Sequence, residues 1–227
     1  MTTTVDVADD QKEEAVTRRP LTFVLVVVLA VTALVIAGTV GWLVATRSSS
    51  VSTPSDSSID VGFVRDMSTH HQQAITMATY TENNSDSTAI KAVAYDIESS
   101  QSVQLGMMVG WLQQWGVSRN TDSPMAWMAG HQHHIGSNGL MPGMATPAQL
   151  SRLQTLHGTA LDILFLQLMI RHHQGGIVMA QYAAEHAAKP YVVSLAQNMY
   201  NTQTAEIVQM EQQLRRLGGS PLAPPPD

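Results

Sequence analysis

The sequence predicts an all-α protein: a four-helix bundle made from two duplicated helical hairpins, preceded by a single transmembrane helix. Three observations predict it. A stretch around His70-His71 recurs around His172-His173 at a constant offset of 102 positions. Apolar residues recur at helical spacing around both copies, and no stretch alternates well enough for a strand. Finally, residues 21–46 carry no charge over 26 positions.

The duplication is the strongest of the three. Met67-Ser68-Thr69-His70-His71-Gln72 returns as Met169-Ile170-Arg171-His172-His173-Gln174. The copies continue alike to Ile75-Thr76-Met77-Ala78 and Ile177-Val178-Met179-Ala180. The same offset pairs Asp60 with Asp162 and Phe63 with Phe165 upstream, and Gln101 with Gln203, Leu112 with Leu214 and Gly116 with Gly218 downstream. An offset held without a gap across more than 50 residues marks a repeated unit, because chance similarity drifts.

Residues 1–20 read as a polar cytoplasmic tail and 21–46 as the membrane anchor. As a helix the charge-free run reaches about 39 Å, against ~30 Å of bilayer hydrocarbon. A cleaved secretory signal is the alternative, but its apolar core would be roughly 7–15 residues long. Lys12, Arg18 and Arg19 precede the run and Arg47 follows it, so the positive-inside bias puts the N-terminus in the cytoplasm and the rest outside the cell membrane. Residues 47–58, rich in Ser, form a flexible linker.

The bundle is expected over 59–218, with repeats 59–116 and 158–218 joined by a Met/His-rich linker, 117–157. A first helix should run from about Ile59 to Thr81, with Asn83-Asn84-Ser85-Asp86-Ser87 as its turn. A second should cover about Thr88 to Trp115, since Val93, Ile97, Leu105, Met108, Leu112 and Trp115 share a face and Gly116 sits at the C-cap. Thr146-Pro147-Ala148-Gln149 carries a cap, a proline at the first helical position and a capping-box glutamine. The helix beyond is expected to break at Gly158 and resume to about Ala187. Pro190 should open the last helix, which ends at Leu217-Gly218-Gly219, and 219–227 is a Pro-rich tail.

Composition narrows the function classes. The chain has no cysteine, which removes disulfides, thiolate metal sites and a lipidated-cysteine anchor. A net charge of −6 with 12 Lys and Arg argues against nucleic acid. All nine His, and every Met but the first, lie beyond residue 60. Those residue types therefore belong to the exported part.

At about 100° per residue, Met67, His70, His71 and Met77 fall on one helical face with Asp60, and Met169, His172, His173 and Met179 do so with Asp162. Met at helical spacing is ordinarily core filling. Four imidazoles entering one bundle are costlier, because each buried ring nitrogen needs a partner, and a metal commonly supplies it. Imidazole with thioether points to copper, as Cu(I) or Cu(II), with zinc as the other candidate. Asp60 and Asp162 would then be outer-shell partners that fix the imidazole tautomers. Because His70 and His71 are about 100° apart, one of each pair can face away from a shared centre. A di-iron site would need Glu-x-x-His pairs, and the sequence has none. Met125, Met128, His131, His133, His134, Met141 and Met144 crowd a Gly-rich stretch and suggest a second, labile copper site. The other reading of that stretch is a loop whose Met, Trp111 and Trp127 cover the bundle end. His157 and His186 have no repeat counterpart and read as structural.

Asp162-Ile163-Leu164-Phe165-Leu166 with Met169-Ile170-Arg171-His172-His173-Gln174-Gly175-Gly176 and Met179-Ala180 resembles the signature of a bacterial domain-of-unknown-function family. Leu140-Met141-Pro142-Gly143-Met144 and Met108-x-x-Trp111-Leu112-x-x-Trp115-Gly116 match its pattern too. The resemblance implies a ferritin-like four-helix bundle and, as in its periplasmic member CopM, copper binding through Met and His. The expected function is thus a membrane-anchored, extracytoplasmic copper-binding protein for buffering, resistance or transfer. Two rivals are a bundle docking an envelope protein partner and a copper-dependent redox enzyme; nothing in the sequence demands turnover.

Overall fold

The computed structural model describes residues 18–48, 53–128, 135–136 and 139–225, with helix-end side chains 18–22 and 44–48 left aside. Six helices and no strand occur among the described residues. The chain divides into two units, 1–52 and 53–227.

The first unit contains helix α1, Arg18–Ser48. Its segment Phe23–Leu43 has a mean hydropathy of 2.9 and none of it is buried, so it is long and apolar enough to cross a membrane. Thr32 and Thr39 turn their hydroxyls back onto the carbonyls of Val28 and Val35, which satisfies them inside an apolar helix.

The second unit is the bundle. Helices α2 (Ile59–Asn84) and α3 (Thr88–Trp115) form one hairpin, and α5 (Gly158–His186) and α6 (Pro190–Arg216) the other. The hairpins meet mainly through α2 and α5. A short helix, α4 (Pro147–Leu153), lies in the connection, and it starts as the sequence predicts. The Thr146 hydroxyl accepts from the Gln149 N–H, and the Gln149 side chain accepts from the Thr146 N–H. Helix α2 outlasts its expected end at Thr81, because Asn83 and Asn84 donate back to the carbonyls of Thr79 and Tyr80 and hold one further turn.

The repeats share their terminations. Gly116 and Gly218 both adopt left-handed φ, 68° and 78°. Their N–H groups donate to Gln113 and Arg215, and the next N–H groups, of Val117 and Gly219, donate to Leu112 and Leu214.

Two apolar clusters fill the bundle. One gathers Phe63, Met67, Met108, Leu112, Met179 and Met199, the other Ala74, Met77, Ile97, Phe165, Met169 and Met210. Between them along α2 and α5 lie His70, His71, His172 and His173, at most 1% exposed. A buried polar layer thus divides an apolar core, and that layer contains the doubled motif.

The duplicated aspartates explain how the hairpins are held together. Asp60 accepts from the N–H groups of Ala188 and Lys189 at 3.1 and 2.7 Å, in the α5–α6 turn. Asp162 accepts from the Ser85 hydroxyl at 2.6 Å, in the α2–α3 turn. Each repeat ties down the turn of the other. The expectation that these carboxylates orient imidazoles is therefore corrected, since turn donors lie within their reach at the bundle ends.

Candidate metal centre

The layer is built from α2 and α5 outward. His70 and His172, equivalent positions in the two repeats, stack on each other with ring centroids 3.7 Å apart and planes at 35°. Equivalent residues meeting face to face is what a two-fold relation between hairpins produces. The 100° fan between adjacent histidines then sends the second ring of each motif toward its own hairpin partner. His71 reaches Gln104 on α3 and His173 reaches Glu206 on α6.

Those contacts set the ring tautomers. Nε2 of His70 donates to the Pro142 carbonyl at 3.0 Å, since a carbonyl can only accept. Nε2 of His71 donates to Gln104 Oε1 at 2.7 Å, and Nε2 of His173 to Glu206 Oε2 at 2.8 Å. In each ring the proton sits on Nε2 and the lone pair on Nδ1. The Nδ1 atoms of His70, His71 and His173 are buried without a hydrogen-bond partner, as is Nε2 of His172. Four buried donor nitrogens, three with fixed tautomers, are what a soft cation would need here.

Burial also keeps His70, His71 and His172 neutral. Desolvation pushes His70 down to about 3, against a bond to Pro142 that works the other way. It pushes His71 down to about 4, opposed by Gln104. His172 is driven in the same direction by burial and then by the neighbouring rings. A neutral imidazole presents its lone pair without first losing a proton.

The thioethers flank the rings. Met67 and Met179 belong to one apolar cluster, Met77 and Met169 to the other, so each side of the layer carries one methionine from each repeat. Met67 and Met169 lie one turn from their own histidines. Among the described residues no three or more His, Cys, Asp or Glu are grouped so as to hold a metal ion. The layer is thus a set of unengaged nitrogens with sulfur on either side, rather than a closed imidazole chelate.

A strap covers the stacked pair. Gly143, at φ 78°, lies against the backbone of Arg171 and His172, and Gly175 against the Pro142 carbonyl. A Cβ at either glycine would collide with backbone. Gln73 clasps Ala145 with two bonds, accepting from its N–H at 2.7 Å and donating to its carbonyl at 3.0 Å. Arg171 donates to the Met144 carbonyl.

The expected labile site divides. His131, His133 and His134 lie outside the described residues. Met125, Met128 and Met141 are buried in the first apolar cluster, and Met144 packs against it. Asp66 anchors this stretch, accepting from the Met125 N–H at 2.6 Å and the Trp127 indole at 2.8 Å. The correction has a plain cause: burying thioethers under Trp127 removes apolar surface from water. His186 donates from Nδ1 to its own helix at Tyr182 and stacks on that ring. His157 precedes α5 with no side-chain cap bond.

Sequence reasoning missed Gln104, Glu206 and the Pro142 carbonyl. The first two sit 102 positions apart, one turn beyond the matched Gln101 and Gln203, so the offset carried the signal. Gln101 and Gln203 are themselves buried, with side-chain atoms lacking partners. Gln203 Oε1 fills the space above Gly176, whose missing Cβ would also lie 3.3 Å from the His70 ring.

Comparison with known proteins adds to this geometry. The model for DUF305, a domain of unknown function, matches residues 60–214. A DUF305 crystal structure from Streptomyces coelicolor is 37% identical, with a TM-score of 0.69 over 74% of this chain and 99% of that one. A DUF305 fragment from Deinococcus radiodurans is 32% identical, with a TM-score of 0.59 over 70% and 96%. CopM in its Cu(I)-bound form is 27% identical, with a TM-score of 0.54 over 70% and 98%. No curated protein matches the chain.

Proposed function

The chain belongs to the DUF305 family, and from that premise we propose that it is a membrane-anchored, extracytoplasmic copper-binding protein that buffers copper or hands it on. The observation that carries this reading is the set of four buried imidazole nitrogens without partners. Leaving such groups unsatisfied in a core is costly, and a bound cation removes that cost. CopM, similar over 70% of this chain, is known in Cu(I)-bound and Cu(II)-bound forms.

The residues that would hold copper are His70, His71, His172 and His173, with Met67, Met77, Met169 and Met179 supplying sulfur. Imidazole and thioether together favour Cu(I) among the common first-row ions. The chain's own contribution is to fix three tautomers, keep His70, His71 and His172 neutral and exclude water. The anchor would be Phe23–Leu43, which holds the bundle at the outer face of the membrane.

Full-length protein in detergent should retain copper after loading and dialysis, assayed by elemental analysis beside a zinc control. Replacing His172 and His173 together with Ala should cut bound copper by at least half while the helical circular dichroism is kept. Undiminished copper in that variant would remove the bundle site.

A further inference from the structure

The two halves of the imidazole layer are built alike but differ in charge. His71 and His173 occupy equivalent positions, donate from the same ring nitrogen and leave the same Nδ1 lone pair free. Their acceptors also occupy equivalent positions, Gln104 on α3 and Glu206 on α6. One acceptor is a neutral amide, the other a carboxylate.

This difference matters more here than on a surface. The other donors in the layer are imidazole and thioether, none of them anionic, so a cation arriving from water brings a charge that its ligands do not cancel. Burial raises that cost, and an anion one ring away lowers it. A carboxylate accepting from Nε2–H also makes Nδ1 a better donor, which an amide does far more weakly. Asp60 and Asp162 cannot take this part, because their carboxylates are engaged by the hairpin turns.

We infer that Glu206 ranks the two halves, so that the His173 half takes up Cu(I) before the His71 half. Glu206 is then a positioning residue and the counter-charge of a high-affinity half. Gln104 leaves its counterpart as the weaker half, from which an ion is more readily surrendered. The inference rests on the copper reading above and names its order of filling.

The test exchanges the acceptors in the full-length protein. Glu206→Gln installs the residue that the first repeat already uses, and Gln104→Glu installs that of the second, so both substitutions are near-isosteric. Cu(I) affinity would be read by anaerobic competition with a Cu(I) chelator. The order of filling would be read from the Nδ1 resonances of ¹⁵N-histidine during Cu(I) titration, a diamagnetic ion. Wild type should shift His173 at the lowest copper and His71 later. Glu206→Gln should weaken the first binding event about 10- to 100-fold, and the double exchange should reverse the order. A purely structural role for Glu206 would not produce that reversal. Copper bound by wild type with an order unchanged in the double exchange would overturn this inference alone. Failure of wild type to bind Cu(I) at all would overturn the copper reading and this inference with it.

Discussion

At the scale of single residues, two neighbouring glycines make unequal demands. Gly175 lies against the Pro142 carbonyl and carbon, and both are backbone in the strap that covers His70 and His172. Gly176 faces the Gln203 amide, which is the movable end of a side chain. The first repeat has Gln73 and Ala74 at these positions, so an alanine at 176 has a precedent where one at 175 does not. Gly175→Ala should therefore cost about 1–3 kcal/mol, and Gly176→Ala less. In a unit of this size each kcal/mol moves Tm by about 2–4 °C, so calorimetry separates the two. Equal Tm values would mean that the strap does not bear on Gly175. The Pro142 carbonyl also fixes the His70 tautomer, so the Gly175 variant should bind copper more weakly than its Tm loss alone accounts for.

At the scale of elements, the α2–α5 seam carries three histidines that burial holds neutral, and this dictates how stability follows pH. Above about pH 6.5 these histidines are uncharged whether the chain is folded or not. Below it, the unfolded chain takes up protons that the buried rings refuse, so stability falls with pH. The loss runs down to about 4 for His71 and about 3 for His70, with His172 acting in the same direction. Asp66 and Asp162, raised by burial, and Glu82, raised by its bond to Glu98, act oppositely and gain as pH falls. The histidines of the unfolded chain take up nearly all their protons between about pH 6.5 and 4.5, ahead of its carboxylates near 4, so the urea midpoint of metal-free protein should fall across that window. A flat midpoint across that window would mean that water or protons reach the rings. The same elements mark what was legible beforehand. The cap at Thr146, the break at Gly158 and the Gly116 terminus follow from local backbone chemistry, which sequence displays directly. Met125 and Met128 did not, because a methionine on a Gly-rich stretch reads the same as a mobile ligand or a core plug. What decides between them is Asp66, some 60 residues away, bonding Met125 and Trp127. Asp60 and Asp162 were visible as a pair, yet their partners lie in the opposite hairpin, where helical spacing gives no view.

At the scale of the whole molecule, the chain joins a helix with a long charge-free stretch to a domain whose donors are already buried, and that order predicts a topology. Phe23–Leu43 is 21 residues long, or about 32 Å as a helix, enough to cross ~30 Å of hydrocarbon with little tilt. Every side chain in that segment is exposed, an apolar surface of the kind that lipid would cover. Lys12, Arg18 and Arg19 on one side, against Arg47 on the other, predict an orientation with the bundle outside. A retained anchor and a cleaved signal make opposite predictions for mass and fractionation. Retention gives a 24.6 kDa chain that stays with membranes through alkaline carbonate and loses its bundle to protease added outside spheroplasts. Cleavage gives a shorter, soluble chain that begins after the apolar run. The retained form is the one expected here, since the run is longer than the roughly 7–15 residues of a signal core.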